Sequence, residues 1–352
     1  MADRALVFIG NYTSGDDAAI YYGEADPDSG ALRIHGRTPC EDNPSFLALH
    51  PNGRFLYAVN EVSHFDGGGA VSAFSIDADS GALTFLNLQP TGGSAPCHNT
   101  VDHSGRYVLC ANYGGGSVSM HPVRDDGSLG EISDFHQHMG SSVDPGRQQG
   151  PHAHSINVDP DNGFAFCADL GLDEVLVYGL DLEAGRLVPH GSGRVTPGGG
   201  PRHMAFHPNR RFAYVINEMS NTITLFARGD DGGSLIEVEE VTTLPAGYAE
   251  TTHTSDIHLS ADGRFLYGSN RGHDSIAAFA VDAGSGQLTL LGHTPVPSAP
   301  RNFAIDPSGR WLYSGGHHTD RIARLRVDGS GRLQDTGESA ETPSPVCIRM
   351  LR

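Results

Sequence analysis

"PSFLALHPNGRFLYAVNE", residues 44–61, is the unit from which the chain is built. A short alternating run, Phe46–Leu49, ends at His50-Pro51-Asn52-Gly53, where Pro and Gly set the backbone angles a tight turn needs. An apolar run over 55–59 follows and stops at Asn60-Glu61. About 50 residues on, a spacing that marks a repeat architecture, the pattern returns as "PCHNTVDHSGRYVLCANY" from Pro96. It recurs as "PHAHSINVDPDNGFAFCADL" from Pro151, "PRHMAFHPNRRFAYVINE" from Pro201, "HTSDIHLSADGRFLYGSNR" from His253 and "PRNFAIDPSGRWLYSGGHH" from Pro300.

Outward from each copy, a Gly- or Asn-rich gap leads to a third run, such as 70–76 or Ser275–Val281, and a second turn, as in "DADSGALTFL", opens a fourth. Four short antiparallel strands joined by hairpins make one blade of a β-propeller. The N-terminal "RALVFIGNYT" and "AIYYGEADPDSGALRI" supply the second, third and fourth strands of a further blade, and "PSPVCIRML" from Pro343 reads as its missing first strand. The expected fold is therefore all-β: a seven-bladed β-propeller of four-stranded antiparallel blades, a single domain over 1–352. Residues 344–351 are expected to close the ring by joining the N-terminal blade, which removes free strand edges.

Composition narrows the function. The 46 Gly and 21 Pro suit a turn-rich chain. A formal charge of −19 argues against nucleic acid and anionic membrane as partners. All 23 cationic side chains are arginines, which excludes Schiff-base lysine chemistry and a P-loop lysine. An anionic substrate must then be held by Arg, His or backbone N–H groups. The five cysteines form no CxxC pair, so neither a disulfide framework nor a structural zinc site is expected, and Cys110 and Cys167 read as small core residues. No signal peptide or membrane-length apolar run is visible, and the default expectation is a cytoplasmic monomer or weak homodimer.

In a propeller the first strands line a central channel. Ligands are expected at the mouth where first strands begin and second strands end. These positions hold, among others, His152, His154, Arg202, His203, Asp256 and Arg301 on first strands. Asn60-Glu61, Asn112-Tyr113, Asn217-Glu218 and Asn270-Arg271 end second strands. The recurring Asn suits turn capping. The residue after it changes charge from blade to blade, which points to separate tasks. His152 and His154 form an HxH pair, a spacing that suits a metal, although no third or fourth ligand is evident. Two guanidiniums, a carboxylate and an imidazole in one channel (Arg202, Arg271, Glu218, His154) would suit an oxyanion-bearing substrate; the alternative is Arg–Glu bracing between blades. His152, His203, Asn270 and Arg301 are expected as substrate contacts. His50, His103, His207 and His258 read as turn or packing residues at the opposite end. The long 133–150 connection, with His136, His138, Arg147 and Gln148, is expected to roof part of the site.

The motifs "QGPHAHS", "GPRHMAFHP", "YVINEMSNTI", "DIHLSADGRFLYGSNRGHDSI" and "PRNFAIDPSG" resemble the seven-bladed propeller lactonase family over essentially the whole chain. That family includes the propeller-type 6-phosphogluconolactonases and the fungal 3-carboxy-cis,cis-muconate cyclases. The resemblance implies an active-site set of one His, two Arg and one Glu, at His154, Arg202, Arg271 and Glu218, with no metal. It implies hydrolysis of a sugar lactone, 6-phosphoglucono-δ-lactone first, by base-activated water, with either His154 or Glu218 as base. Competing readings are a carboxymuconate cycloisomerase on the same fold and a non-enzymatic propeller that binds a protein partner.

Overall fold

The computed structural model describes residues 4–65 and 67–352. Strands are the only extended elements among them, and the one helical piece is a 3-10 turn at Gly15–Asp17. They form seven four-stranded antiparallel sheets. Blade 1 combines Pro345–Leu351 with Ala5–Asn11, Ala19–Ala25 and Leu32–Pro39, so the expected closure is present: Leu6 pairs Leu351 and Gly10 pairs Cys347. Blades 2 to 7 begin at Phe46, Pro96, Ala153, Pro201, His253 and Pro300 and each runs first to fourth strand without crossover. Every first strand packs on the next around the ring, and Pro300–Ile305 meets Pro345–Leu351, which in turn meets Phe46–Leu49.

Burial grades outward. Second strands such as Tyr107–Asn112 are buried throughout, whereas the fourth strand Leu32–Pro39 alternates exposed and half-buried residues, as a one-sided outer strand must. The cores lie between blades.

Two polar latches repeat between neighbouring blades. In the second strand, the hydroxyls of Tyr57, Tyr214, Tyr267 and Tyr313 donate to the carbonyls of Gly127, Gly286, Gly331 and Gly30 in the next blade's outer turn. Gly30 there adopts φ +70, and a Cβ would lie 2.4 Å from the Trp311 ring. At the far turns, Nε2 of His50, His103 and His207 bonds Gly105 O, Asp159 O and Gly263 O, so these histidines brace the ring as expected. His258 differs: it lies inside the strand His253–Leu259 and bonds Asp256.

The 133–150 connection does not simply roof the channel. Its Asp134–Gln137 is the fourth strand of blade 3, with His136 bonded to Leu187 O of blade 4. His138 is buried between Asp169 and Tyr178. Cys110 and Cys167 are fully buried, all five cysteines are free, and no described helix is long and apolar enough to cross a membrane.

Candidate active site

One backbone device positions the site. In the first strands the ladder skips a residue: Pro96 pairs Asn112 and His98 pairs Ala111, leaving Cys97 unpaired. The same bulge frees His154 in blade 4, Arg202 in blade 5 and Arg301 in blade 7. A bulge re-aims the side chain it releases, so one repeat position supplies side chains to the channel from blade after blade. The chain enters these strands from left-handed residues, with φ of +50 at Ala95 and +57 at Ala299, each followed by Pro.

A second ring comes from the ends of second strands. The N–H groups of Tyr12, Glu61, Tyr113, Glu218 and His317 each bond the carbonyl just before the adjoining first strand, at Ser344, Asn43, Ala95, Gly200 and Ala299. These bonds stack the second ring against the bulges.

Glu218 is the hub. Its Oε2 accepts from Arg202 Nε at 3.0 Å and Arg271 Nη2 at 2.8 Å, and its Oε1 accepts from Arg147 Nη2 at 2.7 Å. His154 Nε2 stands 3.7 Å from Oε2. Burial opposes ionisation of Glu218, but the Arg271 and Arg202 charges outweigh it and hold the carboxyl well below its usual range. Burial, aided by Arg202, holds the His154 imidazole well below its ordinary value, so it is neutral at neutral pH. Burial and then Arg271 lower Arg202 to about 10, still protonated at neutral pH.

Beneath this layer, His203 receives Arg202 Nη1 on Nε2 at 3.2 Å and therefore carries its proton on Nδ1, which donates to Asp256 at 2.7 Å. His203 thus orients Arg202 and has neither nitrogen left for a substrate. The expected contact by Asn270 is also corrected. Its amide is buried against Thr243 and Ser275, because it sits one residue before Arg271 and faces the opposite way. Asn60 and Asn112 likewise tie their blades to the preceding connection, at Glu41 O and Thr91 O. Gln148 is held by Leu170 O and Asp173, away from the mouth.

The structure does bring His154, Arg202, Glu218 and Arg271 together. His152 lies beside them, stacked on Tyr113 at 4.6 Å with Nδ1 on Tyr113 O. Among the described residues no group of three or more His, Cys, Asp or Glu is placed to hold a metal. Arg301 lines a small adjoining cavity with Arg202, His203 and Glu61, its guanidinium 5.1 Å over the Tyr12 ring. Three neighbours escaped the sequence reading: Tyr12, Ser45 and Cys97. Tyr12 and Ser45 both donate to Glu61 Oε2, at 2.7 and 2.6 Å. The signal for them was positional, since Tyr12 follows Asn11 as Glu218 follows Asn217, and Ser45 and Cys97 follow Pro as Arg202 does.

Arg147, Arg202, Arg271 and Arg301 surround two carboxylates, Glu61 and Glu218. The mouth is therefore cationic within a chain of formal charge −19. It can bind an anion, stabilise developing negative charge and offer a neutral base.

Comparison with known proteins agrees. The chain is 36% identical over 350 residues to the 6-phosphogluconolactonase of Bacillus subtilis, covering 99% of both chains. It is 35% identical to that of Formosa agariphila, covering 93% of this chain and 94% of the other. The solved structure of a periplasmic gluconolactonase from Pseudomonas aeruginosa superposes with a TM-score of 0.92 at 34% identity, covering 99% of each chain. The family described as "Lactonase, 7-bladed beta-propeller" matches residues 6–350. Ring, bulges and clustered guanidiniums thus belong to a protein of the seven-bladed β-propeller lactonase family.

Proposed function

We propose that this protein hydrolyses a sugar lactone, with 6-phosphoglucono-δ-lactone as the first candidate. The observation that carries this reading is a neutral imidazole beside a carboxylate that is itself locked by three guanidiniums. The names of the Bacillus and Formosa relatives support the substrate.

Hydrolysis needs an activated water and a stabilised oxyanion. Of the two candidate bases, Glu218 is the poorer, because ion pairing makes its proton affinity low. His154 takes the proton as water adds to the lactone carbonyl, and the nearby Glu218 charge stabilises the imidazolium that forms. Arg202 Nη2 and Arg271 Nη1, the amino groups that Glu218, His203, Ser255 and Thr254 do not engage, supply N–H donors to the oxyanion. When the tetrahedral intermediate collapses, the ring C–O bond breaks and the imidazolium returns its proton to the departing oxygen. Such a base contributes roughly 10²–10⁴-fold and an oxyanion donor roughly 10²–10³-fold.

The reading treats 1–352 as one working domain, monomeric or weakly dimeric. A cytoplasmic location is part of the proposal, in keeping with five free cysteines. It is tested by generating the lactone in situ from glucose 6-phosphate and following its loss against spontaneous decay, for the wild type and Arg271→Ala, with and without EDTA. Acceleration that needs Arg271 and ignores EDTA is expected. A wild-type rate no faster than spontaneous decay would overturn the reading, and lactone formation from carboxymuconate would replace it.

A further inference from the structure

The four guanidiniums at the mouth are not equivalent. Arg202 is committed to Glu218, His203 and Ser255 O. Arg271 bonds Glu218 and Thr254 O through Nη2 and leaves its buried Nε without a partner, and Arg147 bonds Glu218 and Tyr113. Arg301 is different. Among the described residues its N–H donors meet no acceptor at hydrogen-bond distance, and no carboxylate lies within ion-pair distance; its one close partner is the face of Tyr12 at 5.1 Å.

Tyr12 is itself fixed, since its hydroxyl donates to Glu61, which Ser45 also holds. A rigid ring therefore supports the guanidinium at the wall of a cavity shared with Arg202 and Cys97. Burial works against its charge, but the carboxylates of Glu61 and Glu218 favour it, so Arg301 stays cationic. The half-buried guanidinium thus keeps a set of donors that the protein does not use and that a ligand bearing acceptors can take up. Its planar donor pattern matches two oxygens of one phosphate.

We infer that Arg301, seated on Tyr12, is the subsite for the phosphate of a phosphorylated sugar lactone and sets the preference for it over the unphosphorylated sugar. The inference rests on the lactonase reading, but its binding test does not.

The experiment has two arms, each comparing wild type with Arg301→Gln, Arg301→Lys and Arg147→Gln. Calorimetric titration with inorganic phosphate and with 6-phosphogluconate, using gluconate as control, measures anion binding without turnover. Kinetics on 6-phosphogluconolactone and glucono-δ-lactone give the ratio of the two kcat/KM values. Arg301→Gln is expected to weaken binding of both phosphate ligands, and to lower that ratio, by roughly 10- to 100-fold. The kinetic loss should fall on KM, and Arg301→Lys should recover part of it. An equal loss on both lactones, no loss of phosphate binding, or a loss seen in Arg147→Gln instead would overturn the assignment. A wild type inactive on both lactones would defeat the lactonase reading, while the titrations would still decide whether Arg301 holds phosphate.

Discussion

His154 Nε2 lies 3.7 Å from Glu218 Oε2, close enough to feel the carboxylate and too far to hydrogen-bond to it. The separation leaves the imidazole available to a water. His154→Asn should lower kcat/KM by roughly 10²–10⁴-fold. An unchanged circular dichroism spectrum and melting temperature would show that the fold survives. Because the base must be neutral and burial lowers its pKa, the acid limb of the wild-type kcat/KM profile should lie well below 6.5. A limb at or above 6.5 would exclude His154 as the base.

Glu218→Gln retains shape and removes the charge that three guanidiniums share. It should reduce activity and also destabilise the protein, because a buried ion pair broken on one side costs about 3–5 kcal/mol. Chemical denaturation measures this directly. A variant as stable as the wild type would mean that the guanidiniums are solvated rather than held by Glu218.

Stability should fall on mild acidification. Burial lowers His121 to about 4, and burial with the Arg202 charge lowers His203 to about 4. Between pH 6.5 and 4 the unfolded chain binds protons at these sites and the folded chain does not, so unfolding is favoured as pH drops. Each imidazole contributes a slope of at most about 1.4 kcal/mol per pH unit in that window. Glu218 acts in the same direction at lower pH, since its depressed pKa stabilises the fold above the usual carboxylate range and is lost on further acidification. Thermal melts from pH 7.5 to 4 check the sign, and a melting temperature that rises toward pH 4 would refute it.

Removal of 345–352 should abolish or severely reduce folding. That segment supplies a whole channel strand, and Ile348 N–H and Cys347 Sγ also bond Asn302 and Leu47 in the flanking blades. Soluble yield and hydrogen exchange in Ala5–Asn11 would report it, and native-like protection of that strand in the shortened chain would contradict it.

Blade number and closure were legible because each blade repeats the same Pro, turn and apolar run. His154, Arg202, Glu218 and Arg271 were legible because they carry reactive groups at repeat positions that face the channel. Asn270 was misplaced for a local reason, since adjacent residues of a strand face opposite ways. Tyr12, Ser45 and Cys97 share the informative positions but not a residue type that draws attention. The contact between Arg147 and Glu218 was not legible, because it comes from a connection outside the repeat, whose path depends on the buried hold of Gln148 on Asp173.

Ring closure has a consequence for biosynthesis. Ala5–Asn11 is made early, yet its partner on the channel side is made more than three hundred residues later. While the ribosome works through six blades, Val7, Phe8 and Ile9, all fully buried in the finished ring, belong to a strand with one open edge. Such an edge invites pairing with other chains. Folding of this protein should therefore depend most on nascent-chain protection of its first blade, and its aggregation in the cell should respond more to slowed elongation near the end of the message than to any single weakened blade.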